Sequence, residues 1–173
     1  NGSLRLERDG AVATLVLDRP SRQNAIDRAT WRSLAQRCQE LEHDPSTRVI
    51  IVRGEGPAFS AGADIGEFAE VFADEAAAHA YNELVQDALG RLERLSKPTL
   101  AQIQGNCLGG GCGLAVACDL RFAAEDARLG ITPAKLGLAY SLGDVRRLAA
   151  VVGMPRAKDL LLSARLVDAS EAL

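Results

Sequence analysis

The sequence has no C-x-x-C pair among its four cysteines, Cys38, Cys107, Cys112 and Cys118, and nothing like the disulfide framework of a small secreted domain. Buried free thiols are therefore expected, not a metal or redox centre. Histidine is equally scarce: His43 and His79 stand alone in charged or Ala-rich helical contexts, which points to surface positions. No apolar run approaches a membrane span, and no basic-then-apolar segment opens the chain, so a cytoplasmic setting is expected. The net charge of −3 gives no electrostatic case for nucleic acid or an anionic membrane, although basic residues can still gather around one anionic ligand. Low-complexity segments, linkers and internal repeats are also absent.

What is present suits one domain with a sizeable core: 173 residues, 47% hydrophobic and 25% charged. Leu4 to Glu7 and Ala13 to Leu17, around Arg8-Asp9-Gly10, read as a β-hairpin. From Asp27 to His43 apolar residues recur at Trp31, Leu34, Ala35, Cys38 and Leu41, a helical period with Asp27 as N-cap. Val49 to Val52 is a continuous apolar run that suits a strand covered on both faces. Helices are expected at Ile65 to Phe72, Asp74 to Leu95, Gly143 to Val152 and Pro155 to Ser163, with another capped by Asp168. Short strands are expected at Thr99 to Ile103, Leu120 to Ala123 and Ala127 to Gly130. The order reads as three strands, then helix, strand, glycine loop and helix, repeated, which argues for a layered α/β fold. The chain stops just after Asp168 opens a helix, so that a domain continuing beyond this sequence is expected.

Two glycine-rich segments share one layout, buried strand, loop, helix start: Gly54 to Asp64, and Gly105 to Gly113. Small residues at a helix start let a ligand approach exposed N–H groups, where the helix dipole favours negative charge. Two such loops on neighbouring strands can aim two donors at one oxygen, the geometry of an oxyanion hole. Neither loop ends in G-K-[ST], and the third glycine of a dinucleotide fingerprint is replaced by Phe59 in one and Val116 in the other. The plain alternative is tight helix-on-strand packing; the pairing of the loops favours a ligand site.

Ala58-Phe59-Ser60-Ala61-Gly62-Ala63-Asp64-Ile65 resembles the F-[SC]-A-G-A-D-[IL] segment of the enoyl-CoA hydratase/isomerase (crotonase) superfamily. Gly105 to Cys112, followed by Cys118-Asp119, resembles its triple-glycine segment, and Leu17-Asp18-Arg19-Pro20 with Asn24-Ala25 its N-terminal coenzyme A contact. The resemblance implies a ββα-spiral core whose C-terminal helices are largely absent from this chain. It further implies an oxyanion hole from the N–H groups of Ala63 and Gly110, which would hold an acyl thioester oxygen. Coenzyme A would lie along Arg22, Asn24, Ala25 and the turn Ala61, Gly62, Asp64 and Ile65. No cofactor beyond the coenzyme A of the substrate and no metal is implied, and the assembly would be a homotrimer or a dimer of trimers.

Hydratases of this family use two facing glutamates. Here one position is Gly113, and the turn that carries the other reads Gly130-Ile131-Thr132-Pro133, without a carboxylate. Neither glycine nor proline transfers protons through its side chain. Two-glutamate hydration is therefore not expected, and decarboxylation or double-bond isomerisation through an enolate is favoured. Thr132-Pro133-Ala134-Lys135-Leu136-Gly137-Leu138-Ala139-Tyr140-Ser141-Leu142 resembles a stretch of methylmalonyl-CoA decarboxylase, which would bring Tyr140 to the acyl pocket to orient a carboxylate or a water. That enzyme has histidine where this chain has Ala63. Tyr140 reads equally as a packing tyrosine. Asp144 reads as a helix-start residue, and also as the best carboxylate for an isomerase. Glu67 and Glu70 read as solvated. A non-catalytic acyl-CoA binder or assembly subunit stands as the rival from another class.

Overall fold

The computed structural model describes residues 3–172. The chain opens with an antiparallel hairpin, β1 (Leu4–Asp9) and β2 (Val12–Leu17), which turns at Gly10-Ala11. Helix α1 (Arg28–His43) follows, and the Asp27 carboxylate accepts the N–H of Thr30 as its N-cap. The chain thus opens with two strands, not the three expected; β3 (Val49–Gly54) comes after α1 and lies parallel to β2. A 3-10 turn, Ile65–Glu67, and the single-turn α2 (Phe68–Val71) lead to α3 (Glu75–Glu93), capped by Asp74. Then come β4 (Thr99–Ile103), β5 (Asn106–Leu108), α4 (Gly110–Ala117), β6 (Leu120–Ala123) and β7 (Arg128–Gly130). A 3-10 turn, Pro133–Leu136, precedes α5 (Leu142–Val152), α6 (Met154–Ser163), β8 (Leu166–Asp168) and α7 (Ala169–Ala172). Asp168 accepts the N–H of Glu171 at 2.9 Å, as the expected cap.

The main sheet has the order β1-β2-β3-β4-β6, parallel from β2 onward, and β5-β7-β8 form a second sheet. The apolar stripe of α1 (Trp31, Leu34, Ala35, Cys38, Leu41) is buried, and joins Leu89 and Leu92 of α3 and Ile50 and Val52 of β3 in one core. Each Leu-sized side chain so buried contributes roughly 1.5–3 kcal/mol. Strand β3 is covered less evenly than its apolar run suggests. Ile50 and Val52 are buried while Val49 and Ile51 are half-buried, because the sheet's second face carries less cover.

All four thiols are free and buried, and burial pushes those of Cys38 and Cys118 up to about 12. His43 and His79 are exposed, as their contexts suggest. Among the described residues no helix is long and apolar enough to cross a membrane.

The parallel pairing of β3 and β4 matters most for the site. Neighbouring parallel strands end at the same edge of a sheet, so the glycine loops that follow them emerge side by side.

Candidate active site

Three segments are laced together at that edge. Ser60 N–H donates to the Asn106 carbonyl and Leu108 N–H to the Ser60 carbonyl, both at 2.9 Å, which locks the first glycine loop to β5. On its other side the same loop joins the N-terminal segment. Ala61 N–H donates to Gln23, Ile26 N–H to Gly62 and Asp64 N–H to Ile26, at 2.8, 2.7 and 3.0 Å. The second glycine segment is therefore not irregular throughout, because β5 inside it supplies the edge that holds the first.

This lacing puts Gly62 against Gly110. A Cβ on Gly62 would lie 2.6 Å from the Leu108 carbonyl and 3.1 Å from the Gly110 nitrogen, and φ there is +95°. Only glycine fits. A Cβ on Gly110 would stand 3.3 Å from Cζ2 of Trp31 and 3.5 Å from the Ala63 nitrogen. Among the described residues, neither the N–H of Ala63 nor that of Gly110 has an acceptor. For Gly110 the reason is its place as the first residue of α4, where no carbonyl four residues back is available. Ala63 and Gly110 both line one cavity of about 430 Å³. Its other walls include Phe68, Phe72, Val85 and Leu89, with Pro133, Leu138, Tyr140 and Asp144 opposite.

Pro133 sits where the 3-10 turn begins and Gly113 lies on α4, so neither position of the expected glutamate pair carries a carboxylate into the cavity. A Cβ at Gly113 would fit without a clash. It would meet Asp144 Oδ1, Leu89 Cδ1 and the Tyr140 hydroxyl, each only at 3.9 Å.

Asp144 is a helix-start residue, as expected, and its side chain also lines the cavity. Its N–H donates to Ser141 Oγ, the N-cap of α5. Oδ2 accepts from Ser141 Oγ at 2.8 Å and Gln86 Nε2 at 3.0 Å, while among the described residues Oδ1 accepts only from Arg147 Nη1, at 3.3 Å. Arg147 is itself held by Gln86 Oε1 and Glu93. Gln86 is a supporting residue the sequence does not mark, since a glutamine on the helical period of α3 carries no signal until α5 packs beside it. The spacing of Arg147, three residues after Asp144, is a legible pairing signal.

Tyr140 is bound differently from its expected role. Its ring packs against the core and its hydroxyl donates to the Gly109 carbonyl at 2.6 Å. Its one proton is thus engaged within the protein, and it faces the cavity only as an acceptor. Burial, then the neighbouring Cys112 and Asp144 side chains, raise its phenol well above the usual value.

The residues expected along coenzyme A divide into two kinds. Arg22 is exposed, Ala25 and Ala61 are half-buried, and Ile65 stands 71% exposed at the cavity wall, so these remain accessible to a ligand. Asn24 is buried, with its side chain fully used: Oδ1 accepts the Arg19 N–H, and Nδ2 donates to the carbonyls of Glu55 and Ala58. It shapes the first loop and has no side-chain donor left for a ligand. Asp64 is also internal, paired with Arg19 at 2.8 Å and Arg22 at 3.6 Å, and accepting the Gly66 N–H. Burial pushes its carboxyl up, but the Arg19 and Gly66 hydrogen bonds and the two arginine charges outweigh this and hold it below its usual value. Glu67 and Glu70 are not merely solvated, because both pair with Arg28 on α1.

Residues 7–173 match the family model described as enoyl-CoA hydratase/isomerase. The chain is 37% identical over 169 residues to a short-chain-enoyl-CoA hydratase of Clostridium acetobutylicum, covering 97% of this chain and 64% of that one. It is 34% identical over 180 residues to a mitochondrial Delta(3,5)-Delta(2,4)-dienoyl-CoA isomerase of Dictyostelium discoideum, covering 98% of this chain and 61% of that one. Among solved structures, an enoyl-CoA hydratase/carnithine racemase from Magnetospirillum magneticum superposes with a TM-score of 0.96 at 36% identity, over 99% of this chain and 65% of that one. The chain spans less than two thirds of the curated relatives it matches, 65% of the length for a mycobacterial hydratase. A model matched along nearly the whole sequence, on a mixed α/β fold shared with solved members, gives one conclusion: the chain belongs to the enoyl-CoA hydratase/isomerase (crotonase) family.

Proposed function

We propose that this chain carries the acyl-CoA site of an enzyme that stabilises a thioester enolate between the N–H groups of Ala63 and Gly110. The observation that carries the proposal is the pair of unaccepted backbone donors on the wall of one largely apolar cavity. Such donors stabilise the negative oxygen more than the neutral thioester, and each is worth about 3–4 kcal/mol of barrier. The thioester oxygen would lie between the two donors, and the acyl chain would run toward Leu89, Val85 and Leu138.

Of the enolate reactions, proton transfer within an enoyl thioester fits this cavity best. Asp144 Oδ1 lies beside Gly113, where no side chain intervenes, and its single long hydrogen bond from Arg147 leaves it able to take a proton from the acyl chain. In an isomerisation it would take a proton from one carbon, leaving the dienolate on the two N–H donors, and return it to another. Decarboxylation of a malonyl-type thioester, suggested by the Thr132–Leu142 resemblance, is less well served. The Asp144 carboxylate borders the space a second carboxylate would fill, and the Tyr140 proton is already engaged. Homotrimeric assembly and a cytoplasmic setting belong to the same proposal.

The test is proton exchange at the acyl chain. Butyryl-CoA incubated with the protein in deuterium oxide should gain deuterium at C2, and a 3-enoyl-CoA should convert to its 2-enoyl isomer. Tight binding of both with neither exchange nor conversion overturns the enzymatic reading and leaves the non-catalytic acyl-CoA binder.

A further inference from the structure

The hydroxyl of Tyr140 and the N–H of Gly110 act on the two ends of one peptide group. The carbonyl that Tyr140 reaches at 2.6 Å belongs to Gly109, and the nitrogen bonded to that carbonyl carbon is the Gly110 donor. In a trans peptide the C=O and N–H point in opposite directions, so a donor on the carbonyl side fixes the direction of the N–H on the other. The same oxygen accepts the N–H of Gly113 at 3.0 Å, and Gly109 N–H donates to the Gly130 carbonyl at 2.8 Å.

This peptide needs holding more than its neighbours do. It lies between two glycines, so no Cβ restricts rotation on either side, and Gly109 sits at φ +51° and ψ −119°, where a side chain is not tolerated. Rotating the peptide would swing the Gly110 N–H out of the cavity and break the Tyr140 bond. A hydrogen bond to a carbonyl also polarises the whole amide and strengthens its N–H as a donor.

We propose that Tyr140 is a positioning residue that orients and polarises the Gly109–Gly110 peptide, and thereby sets the strength of one of the two donors on the thioester oxygen. The proposal rests on the enolate-stabilising reading of the site. It replaces the expected part for Tyr140, contact with a substrate carboxylate or water, by one exerted through the backbone. Burial keeps the phenol protonated, so the donor persists across the neutral range.

The experiment reads the thioester bond directly. Butyryl-CoA labelled with carbon-13 at the carbonyl is bound to the wild type and to Tyr140→Phe, and the isotope-edited infrared band is compared with that of the free thioester. The wild type should move the band to lower frequency. Tyr140→Phe should bind with little change in affinity, show a smaller band shift, and exchange the C2 proton about 3- to 10-fold more slowly, a fraction of what losing a whole donor costs. Replacing Tyr140 by 3-fluorotyrosine, a stronger donor of nearly the same size, should enlarge the shift. A merely structural tyrosine would leave the band where it is in both variants. An unchanged band and exchange rate in the variants, alongside a shifted wild-type band, overturns the role of Tyr140. Absence of a shift in the wild type overturns the oxyanion-hole reading itself.

Discussion

Asp144 and Gly113 are neighbours on the wall of one cavity: Oδ1 of the aspartate stands 3.9 Å from the point where a Cβ on the glycine would lie. A position that carries an acid–base glutamate in hydratases of the family thus has no side chain here, and a carboxylate from a different helix borders it.

Hydration of crotonyl-CoA should be very slow, because neither Gly113 nor Pro133 can activate water. General acid–base groups contribute about 10²–10⁴-fold each, so lacking both leaves hydration far below that of a two-glutamate enzyme. Gly113→Glu has room for its Cβ, which meets its neighbours at the ordinary contact distance of 3.9 Å, and with the carboxylate directed into the cavity it should remain folded and raise the hydration rate. A spectrophotometric hydratase assay and a thermal melt check both parts. Efficient hydration by the wild type would mean that Asp144 activates water unaided.

Asp144→Asn should reduce isomerisation of a 3-enoyl-CoA by about 10²–10⁴-fold, the contribution of one acid–base group. Affinity for butyryl-CoA should change little, because the thioester donors are on the opposite loops. Calorimetric binding beside steady-state kinetics separates the two effects. Near-normal isomerisation by the variant would remove Asp144 from the chemistry.

Gly110→Ala keeps the donor but sets a methyl 3.3 Å from Trp31 Cζ2 and 3.5 Å from the Ala63 nitrogen. Displacing a substrate oxygen by about 1 Å costs on the order of 10²-fold in rate. Turnover should fall by about that much while the protein remains folded by circular dichroism. Unchanged turnover would show that no reacting atom occupies the point between these two nitrogens.

The Asp64 carboxyl is held below its usual value in the folded protein, so its contribution is present above the unfolded value of about 3.9. It is lost as pH falls through the lower, folded-state value. Chemical denaturation from pH 6 downward should therefore show a loss of stability that is shallower in Asp64→Asn. Equal slopes for variant and wild type would assign the acid sensitivity to other carboxylates.

Much of the fold is local enough to be written along the chain. The hairpin at Gly10, the Asp27 cap, the stripe from Trp31 to Leu41 and the strand–glycine–helix units each depend on residues within about one element, so period and turn chemistry reveal them. The two loops and the absent glutamates are legible for the same reason: they are residue types at fixed spacings. Tertiary structure alone decided how these pieces act on one another. Nothing in the order of residues says that β5 would form inside the second glycine segment, because a three-residue strand exists only where Ser60 and β7 offer edges to pair with. The side chain of Asn24 looks available for a ligand until the fold surrounds it with three backbone partners. Gln86 meets Asp144 from 58 positions away, and Tyr140 meets Gly109 from 31. Hydrogen bonds across such distances are set by the packing of α3 and the 131–141 turn against α4 and α5, and no local pattern encodes them. The sequence determined which chemistry was missing from this site, and the packing decided which groups stand in the space that was left.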